Sequence, residues 1–220
     1  MEHEVVARAD SERGEVVVRR RGDEVLELRV NGVFVMDTAQ TTTERLLARA
    51  TLDRVAAPRR ILVGGLGLGY TVRELLADDR VEYVLVAEIE PAVVTWMRDG
   101  VLPGAELLTD PRVEVVVADV RRAVDEARHG SFDVVLLDVD NGPDFLVHDC
   151  NAVVYGGEFL AACRRLLTDD GAVAVWSSTY SLALATTGRD VFGTFDAVPV
   201  PVDLQGRDER YWLFASKMVQ

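Results

Sequence analysis

Apolar and polar positions along this chain fall into two regimes that meet near residue 56. In the first, apolar residues alternate with polar ones or come in short runs. Glu15–Arg19 and the alternating Val25–Val30 read as strands, and Asn31-Gly32 ahead of Val33–Met36 is a hairpin turn. Residues 41–55 read as a helix, with Leu46, Leu47 and Ala50 as its apolar face behind a threonine-rich start. In the second regime, continuous Val/Leu runs predict strands near 61–64, 83–88, 113–117 and 132–138, with helices near 70–78, 91–98 and 119–128 between them. A long helix near 155–167 is expected to stop at Asp169-Asp170-Gly171, because glycine suits the position just past a helix end. A strand over Ala172–Trp176, a polar segment, and strands near 192–199 and 210–217 complete the pattern. Unbroken apolar strands alternating with helices predict an α/β protein whose sheet is mostly parallel and covered on both faces. The expected division is a small N-terminal β region with a linking helix, residues 1–55, and a larger α/β unit, residues 56–220.

Candidate chemistry lies where the predicted strands end. In open parallel sheets, ligands bind beyond the carboxyl ends of the strands where the strand order reverses. The first strand of the larger unit runs into Gly65-Leu66-Gly67-Leu68-Gly69, and the second ends at Glu88-Ile89-Glu90. The third ends at Asp119, and the fourth in Asp138-Val139-Asp140-Asn141-Gly142-Pro143. Glycines let a backbone come close to a ligand, and a carboxylate at the end of the second strand can take both hydroxyls of a ribose. The set points to a nucleoside site. The glycine spacing is not the G-x-G-x-x-G of dinucleotide binders, and no lysine follows as in a phosphate-binding loop. It suits a nucleoside carrying a sulfonium, S-adenosylmethionine or its decarboxylated relative, while Glu88 would serve the ribose of NAD equally well.

Composition narrows the partners. A formal net charge of −13 argues against nucleic acid, whose duplex binders usually present a basic face. An acidic surface attracts a cationic small molecule such as a polyamine, and equally serves solubility. No apolar run reaches the length of a membrane helix, and the start lacks the basic and apolar regions of a secretory signal, so a cytoplasmic protein is expected. The two cysteines, Cys150 and Cys163, make no disulfide framework, and no cluster has metal-ligand spacing.

Over most of its length the sequence resembles the spermidine synthases, the aminopropyltransferase branch of the Rossmann-like class I methyltransferase fold. The likeness is carried by Ile61–Gly65 with Arg73-Glu74, by Glu88-Ile89-Glu90 and by Ala118-Asp119. It continues through Phe132–Asp138 with Gly142-Pro143, through Tyr155, Phe159 and Leu166 to Gly171, and into Tyr211–Lys217. The resemblance implies a mostly parallel seven-stranded sheet preceded by a small N-terminal β-hairpin region, a small-molecule substrate and a homodimer. It implies that Gly65, Gly67 and Gly69 cradle the nucleoside, that Glu88 holds the ribose and Asp119 the adenine amino group. Asp138 would be the catalytic carboxylate, with Gln40, Asp140, His148 and Tyr155 as substrate contacts. The implied reaction is attack of an amine on the aminopropyl carbon beside a sulfonium, with methylthioadenosine leaving.

Three departures stand in the sequence. Leu68 occupies the place of the family's glycine-loop aspartate, which holds the donor's ammonium group. Asp138 and Asp140 are two apart where the family spaces its aspartates three apart. The family's Tyr-His-Glu motif falls within about Leu46 to Thr51, where there is no tyrosine. A leucine in place of an ammonium-binding carboxylate removes a charge-assisted bond. Methyl transfer from S-adenosylmethionine, and nucleoside binding without turnover, are therefore the competing readings. Trp176 and Tyr70 read either as pocket walls or as packing, and Cys163 as core.

Overall fold

The computed structural model describes residues 3–139, 141–146, 149–204 and 206–217. Two sheets organise it. The N-terminal sheet is antiparallel, in the order β1 (His3–Ser11), β2 (Gly14–Arg21), β3 (Val25–Val30) and β4 (Val33–Asp37). Helix α1 (Thr42–Leu52) then leads into β5 (Arg60–Gly64), α2 (Tyr70–Leu76), β6 (Tyr83–Glu88), α3 (Pro91–Arg98), β7 (Val113–Val117), α4 (Val120–Glu126) and β8 (Phe132–Leu137). Helix α5 (Gly157–Leu166) continues directly into β9 (Leu167–Ser177), followed by α6 (Leu182–Phe192), β10 (Asp196–Leu204) and β11 (Arg207–Lys217).

The second sheet has seven strands in the order β10-β11-β9-β8-β5-β6-β7. The five from β9 to β7 are parallel, and β11 runs antiparallel to both of its neighbours. The fold expected from the pattern is therefore the one adopted. Its cause is visible in the cores: Ile61, Val63, Val134 and Leu136 point to one face, while Leu62, Val135 and Leu137 point to the other. A strand buried on both faces must be apolar at every position, which is why the runs are continuous rather than alternating. The first core also takes in Val16, Val18, Leu28, Val30 and Met36, so the N-terminal sheet packs onto the same face as α1, α2 and α3. The order reverses at β5, which sends the chain to β6 and β7 on one side and to β8 on the other. Among the described residues no helix is long and apolar enough to cross a membrane.

Four expectations are corrected. The β region expected from residue 1 onward has its first clear strand ahead of Glu15–Arg19: β1 is an edge strand whose Val5 is exposed, so its pattern is diluted. The polar segment after β9 holds α6, capped by Ser181, whose Oγ accepts from the Leu184 N–H. Gly188 inside α6 looks like a helix breaker, yet a Cβ there would lie 2.1 Å from the Phe195 ring, so close packing requires it. Gly171 does not end a helix. Phe132 pairs with Leu167 and Val134 with Ala172, so residues 168–171 bulge out of β9, and a Cβ on Gly171 would lie 3.1 Å from the Asp133 carbonyl. Finally, α1 buries Glu44, Leu47, Ala48 and Thr51, so of the expected face only Leu47 is fully buried while Leu46 and Ala50 are half-buried.

Candidate active site

A cleft of about 1130 Å³, its open mouth included, lies beyond the carboxyl ends of β5, β6 and β8. The turn after β5 forms its floor through Gly65 and Gly67. Both glycines have positive φ, and both make room for protein as well as for a ligand. A Cβ on Gly65 would sit 2.1 Å from the backbone oxygen of Asp138, and one on Gly67 would sit 2.6 Å from Met36 Sδ. The loop can therefore press against the end of β8 and the tip of the N-terminal sheet. That sheet roofs the cleft with Leu28, Val30, Val35 and Met36. Among the contacts that tie it down, the Arg13 guanidinium donates to the Ile89 carbonyl at 2.6 Å, and the Asn141 amide donates to the Phe34 carbonyl at 3.2 Å.

Glu88 ends β6 with its carboxylate buried and aimed inward. One oxygen accepts from the Leu66 N–H and the other from the Glu90 N–H, each at 2.8 Å. Burial raises its pKa while these backbone donors act against the rise. The Gly67 N–H also acts on this carboxylate, which with four acceptor sites still has capacity for a ligand hydroxyl. Asp119 borders the same end of the cleft and caps α4, accepting from the Arg121 N–H at 2.8 Å and from the Arg121 guanidinium. Burial alone would raise its pKa; the hydrogen bonds from Arg121 outweigh this and hold the carboxyl below its ordinary range.

Asp138 follows β8 and borders the cleft on the other side of β5 from Glu88. Strand spacing of about 4.8 Å places the ends of β6 and β8 roughly 10 Å apart, room for a nucleoside at one and a reacting group at the other. Thr71 Oγ donates to its Oδ2 at 3.0 Å, yet burial pushes the Asp138 carboxyl up to about 6. Glu44, from the first turn of α1, joins it in the cleft wall. Burial, and next the charge of Asp138, push Glu44 up to about 7 against a hydrogen bond from the Thr43 hydroxyl at 2.8 Å. Tyr70 and Trp176 supply aromatic wall, and Trp176 packs edge-on against Tyr211 at 5.2 Å.

Thus Gly65, Gly67, Glu88, Asp119 and Asp138 come together in one cleft. Gly69, Gln40 and Tyr155 do not. Gly69 caps α2 in a left-handed conformation, packed under Leu107, away from the cleft. Gln40 donates to the Asp203 carbonyl at 3.0 Å and accepts from the Thr42 N–H, so it joins β10 to the start of α1. Tyr155 is buried in the core beneath α5. Asp140 and His148 lie outside the described residues. Leu68 is fully buried in the core and forms no wall of the cleft; its N–H meets Met36 Sδ at 3.3 Å. The acid that α1 turns to the cleft is Glu44, two residues before the Leu46–Thr51 stretch. Glu44 was missed although its signal is in the sequence: it sits at the head of the i, i+3, i+4, i+7 stripe with Leu47, Ala48 and Thr51. Cys163 is buried core, as expected. Among the described residues, no group of three or more His, Cys, Asp or Glu could hold a metal ion.

Known structures share this architecture. The fold superposes with a TM-score of 0.86 on a spermidine synthase solved with the transition-state analogue AdoDATO, at 19% identity over 98% of this chain and 74% of that one. It superposes at 0.82 on the spermidine synthase of Thermotoga maritima, at 18% identity over 98% and 73%. At such identities the likeness defines the class of fold, a Rossmann-like α/β protein. Residues 40–187 match the spermine/spermidine synthase domain, and the chain belongs to that family. Over 190 residues it is 34% identical to the polyamine aminopropyltransferase of Mycobacterium tuberculosis strain H37Rv, covering 82% of this chain and 34% of that protein. It is 31% identical over 151 residues to that of Thermoanaerobacter pseudethanolicus, covering 64% and 51%. The chain thus spans between a third and about half of the length of these relatives.

Proposed function

We propose that this chain transfers an aminopropyl group from decarboxylated S-adenosylmethionine to a small amine. The observation that carries this is one cleft, in a member of this family, holding Glu88, Asp119 and Asp138 just at or beyond the carboxyl ends of β6, β7 and β8. Glu88 takes the ribose hydroxyls on its free acceptor sites. Asp119 accepts from the adenine amino group, and the apolar side chains of Ile89, Val120 and Val139 pack against the base.

Asp138 faces the reacting nitrogen. An alkylamine with an ordinary pKa near 10.4 is protonated at neutral pH and has no lone pair to offer. Asp138 accepts the proton, the freed nitrogen forms its bond to the aminopropyl carbon, and the carbon–sulfur bond breaks with its electrons moving to sulfur. Methylthioadenosine leaves neutral. Burial helps: lifting the acceptor carboxylate from 3.8 to about 6 narrows its proton-affinity gap to the amine, by about 3 kcal/mol at 1.36 kcal/mol per unit. The apolar roof from β3 and β4 excludes water that would hydrolyse the donor or solvate the nucleophile. Incubation with decarboxylated S-adenosylmethionine and a panel of amines tests this: methylthioadenosine and an aminopropylated amine should appear in equal amounts by mass spectrometry. Absence of both across the panel contradicts it.

A second reading is methyl transfer from S-adenosylmethionine. It is favoured because the glycine loop, Gly65 to Gly69, brings no carboxylate to the cleft for a donor ammonium group. S-adenosylhomocysteine in place of methylthioadenosine as the product would establish it.

A further inference from the structure

We infer that Thr71, in the first turn of α2, is the positioning residue for Asp138: its hydroxyl holds one carboxylate oxygen so that the other is presented to the reacting nitrogen. This rests on the proposed reaction and adds to it a residue that stands outside the acids at the strand ends.

The inference comes from how the acids of the cleft are held. Glu88 accepts from the backbone N–H groups of Leu66 and Glu90, and Asp119 from both the N–H and the guanidinium of Arg121. Asp138 is held differently. Its backbone is locked, with its N–H donating to the Gly64 carbonyl at 2.9 Å and its own carbonyl pressed against Gly65. Among the described residues, the donor that reaches its carboxylate is the Thr71 hydroxyl, 3.0 Å from Oδ2. A hydroxyl has one proton to donate, and Thr71 spends it there. Thr71 is buried, with 4% of its surface exposed, and its branched Cβ leaves few rotamers on a helix, so the donor stays aimed.

Two consequences follow for the chemistry. With Oδ2 occupied, Oδ1 is left to take the amine's proton, while the freed nitrogen pair goes to the aminopropyl carbon. A hydrogen bond to the charged form of an acid also favours that form. Burial pushes the Asp138 carboxyl up to about 6, and the Thr71 hydroxyl is the group that acts against the rise. The remaining ionisable groups around the cleft oppose ionisation or leave it alone: Glu44 on α1, Tyr70 beside Thr71, Glu88 and Glu90 after β6, and Asp119 ahead of α4. No arginine or lysine lines the cleft among the described residues. One hydroxyl therefore both aims the carboxylate and keeps it charged.

The test compares wild type with Thr71→Val, which keeps the shape and loses the donor, and Thr71→Ser, which keeps the donor. Its first arm is urea unfolding of the ligand-free protein from pH 4 to 8, with and without Asp138→Asn. Losing the hydroxyl raises the folded pKa of Asp138 further above its unfolded value. The added penalty is therefore small at pH 4, where the folded carboxyl is protonated either way, and complete above the raised value. Thr71→Val should cost at least about threefold more in the unfolding constant at pH 8 than at pH 4, the equivalent of about half a pKa unit. Asp138→Asn should abolish that pH dependence, and Thr71→Ser should follow wild type. The second arm is methylthioadenosine formation from decarboxylated S-adenosylmethionine and 1,4-diaminobutane. Thr71→Val should lower kcat about tenfold with the donor KM within twofold, and move the acid limb of the rate profile up by at least about half a unit; Thr71→Ser should recover most of the rate. An unfolding loss that is equal at every pH, or a kcat within twofold of wild type, overturns the inference and leaves the proposed function intact. A wild type that forms no methylthioadenosine overturns the proposed function, and the unfolding arm then decides alone whether Thr71 holds Asp138.

Discussion

Asp138→Asn is expected to make the ligand-free protein more stable at pH 8 and nearly unchanged at pH 4, while abolishing turnover. The Asp138 carboxyl is raised from 3.8 to about 6 because burial disfavours its charged form. A carboxyl whose pKa is higher folded than unfolded weakens the fold as it ionises. The penalty is small below the unfolded value, grows through the interval, and is complete above the folded value. The rise of about 2 units corresponds to about 3 kcal/mol at 1.36 kcal/mol per unit. Asp138 borders the cleft, and water reaching it there reduces the expected gain to about 1–2 kcal/mol. Asparagine has the same shape and keeps an acceptor for the Thr71 hydroxyl, so no cavity opens. Urea unfolding of wild type and variant at each pH from 4 to 8 reads the effect. The difference should rise between pH 4 and about 6 and then level. A difference independent of pH, or a variant less stable at pH 8, would refute the claim that Asp138 is held against its charge. The same variant should lose about 10²–10⁴ in rate, the range for a missing general base, with donor affinity little changed. Equal losses in rate and donor affinity would assign Asp138 to binding instead.

Asp119→Ala should weaken methylthioadenosine at least tenfold by calorimetry; because Asp119 also caps α4, it should cost about 1 kcal/mol of stability as well. Asp119→Ser, which retains a capping oxygen, should recover the stability and not the affinity. Gly65→Ala should cost more than about 2 kcal/mol, since it combines strain at φ +92° with a Cβ 2.1 Å from the Asp138 carbonyl. Its fluorescence-detected urea midpoint should fall accordingly. Leu68→Asp should not create a donor site: the position is fully buried in the core, and an unpaired charge there should cost at least about 3 kcal/mol, read as a collapse of the thermal transition. A folded Leu68→Asp variant with tighter binding of the decarboxylated donor would show that this side chain can reach the cleft.

The central strands were legible because burial on both faces forces unbroken apolar runs, as in Ile61–Gly64 and Phe132–Leu137. The order of carboxylates at their ends was legible for the same reason: a polar residue after such a run must mark its exit from the sheet. What escaped depended on long-range packing. Gly188 is tolerated inside α6 only because Phe195 lies against it, and Gly171 sits in a bulge only because Asp133 on β8 comes close. The amphipathic face of α1 was misjudged by favouring leucines over register, and that error hid Glu44. Gln40 was near the site in sequence, yet its amide reaches the far strand β10, a partner more than a hundred residues away. Leu68 stands at an informative position of the glycine loop, but its side chain turns into the core rather than the cleft.

The central claim is that the cleft binds a sulfonium nucleoside whose tail is aminopropyl. Calorimetric titration of the purified chain with decarboxylated S-adenosylmethionine, S-adenosylmethionine and methylthioadenosine, side by side, tests it most directly. The account predicts tighter binding of the decarboxylated donor and methylthioadenosine than of S-adenosylmethionine. Preference for S-adenosylmethionine, or binding of none of the three, would contradict it.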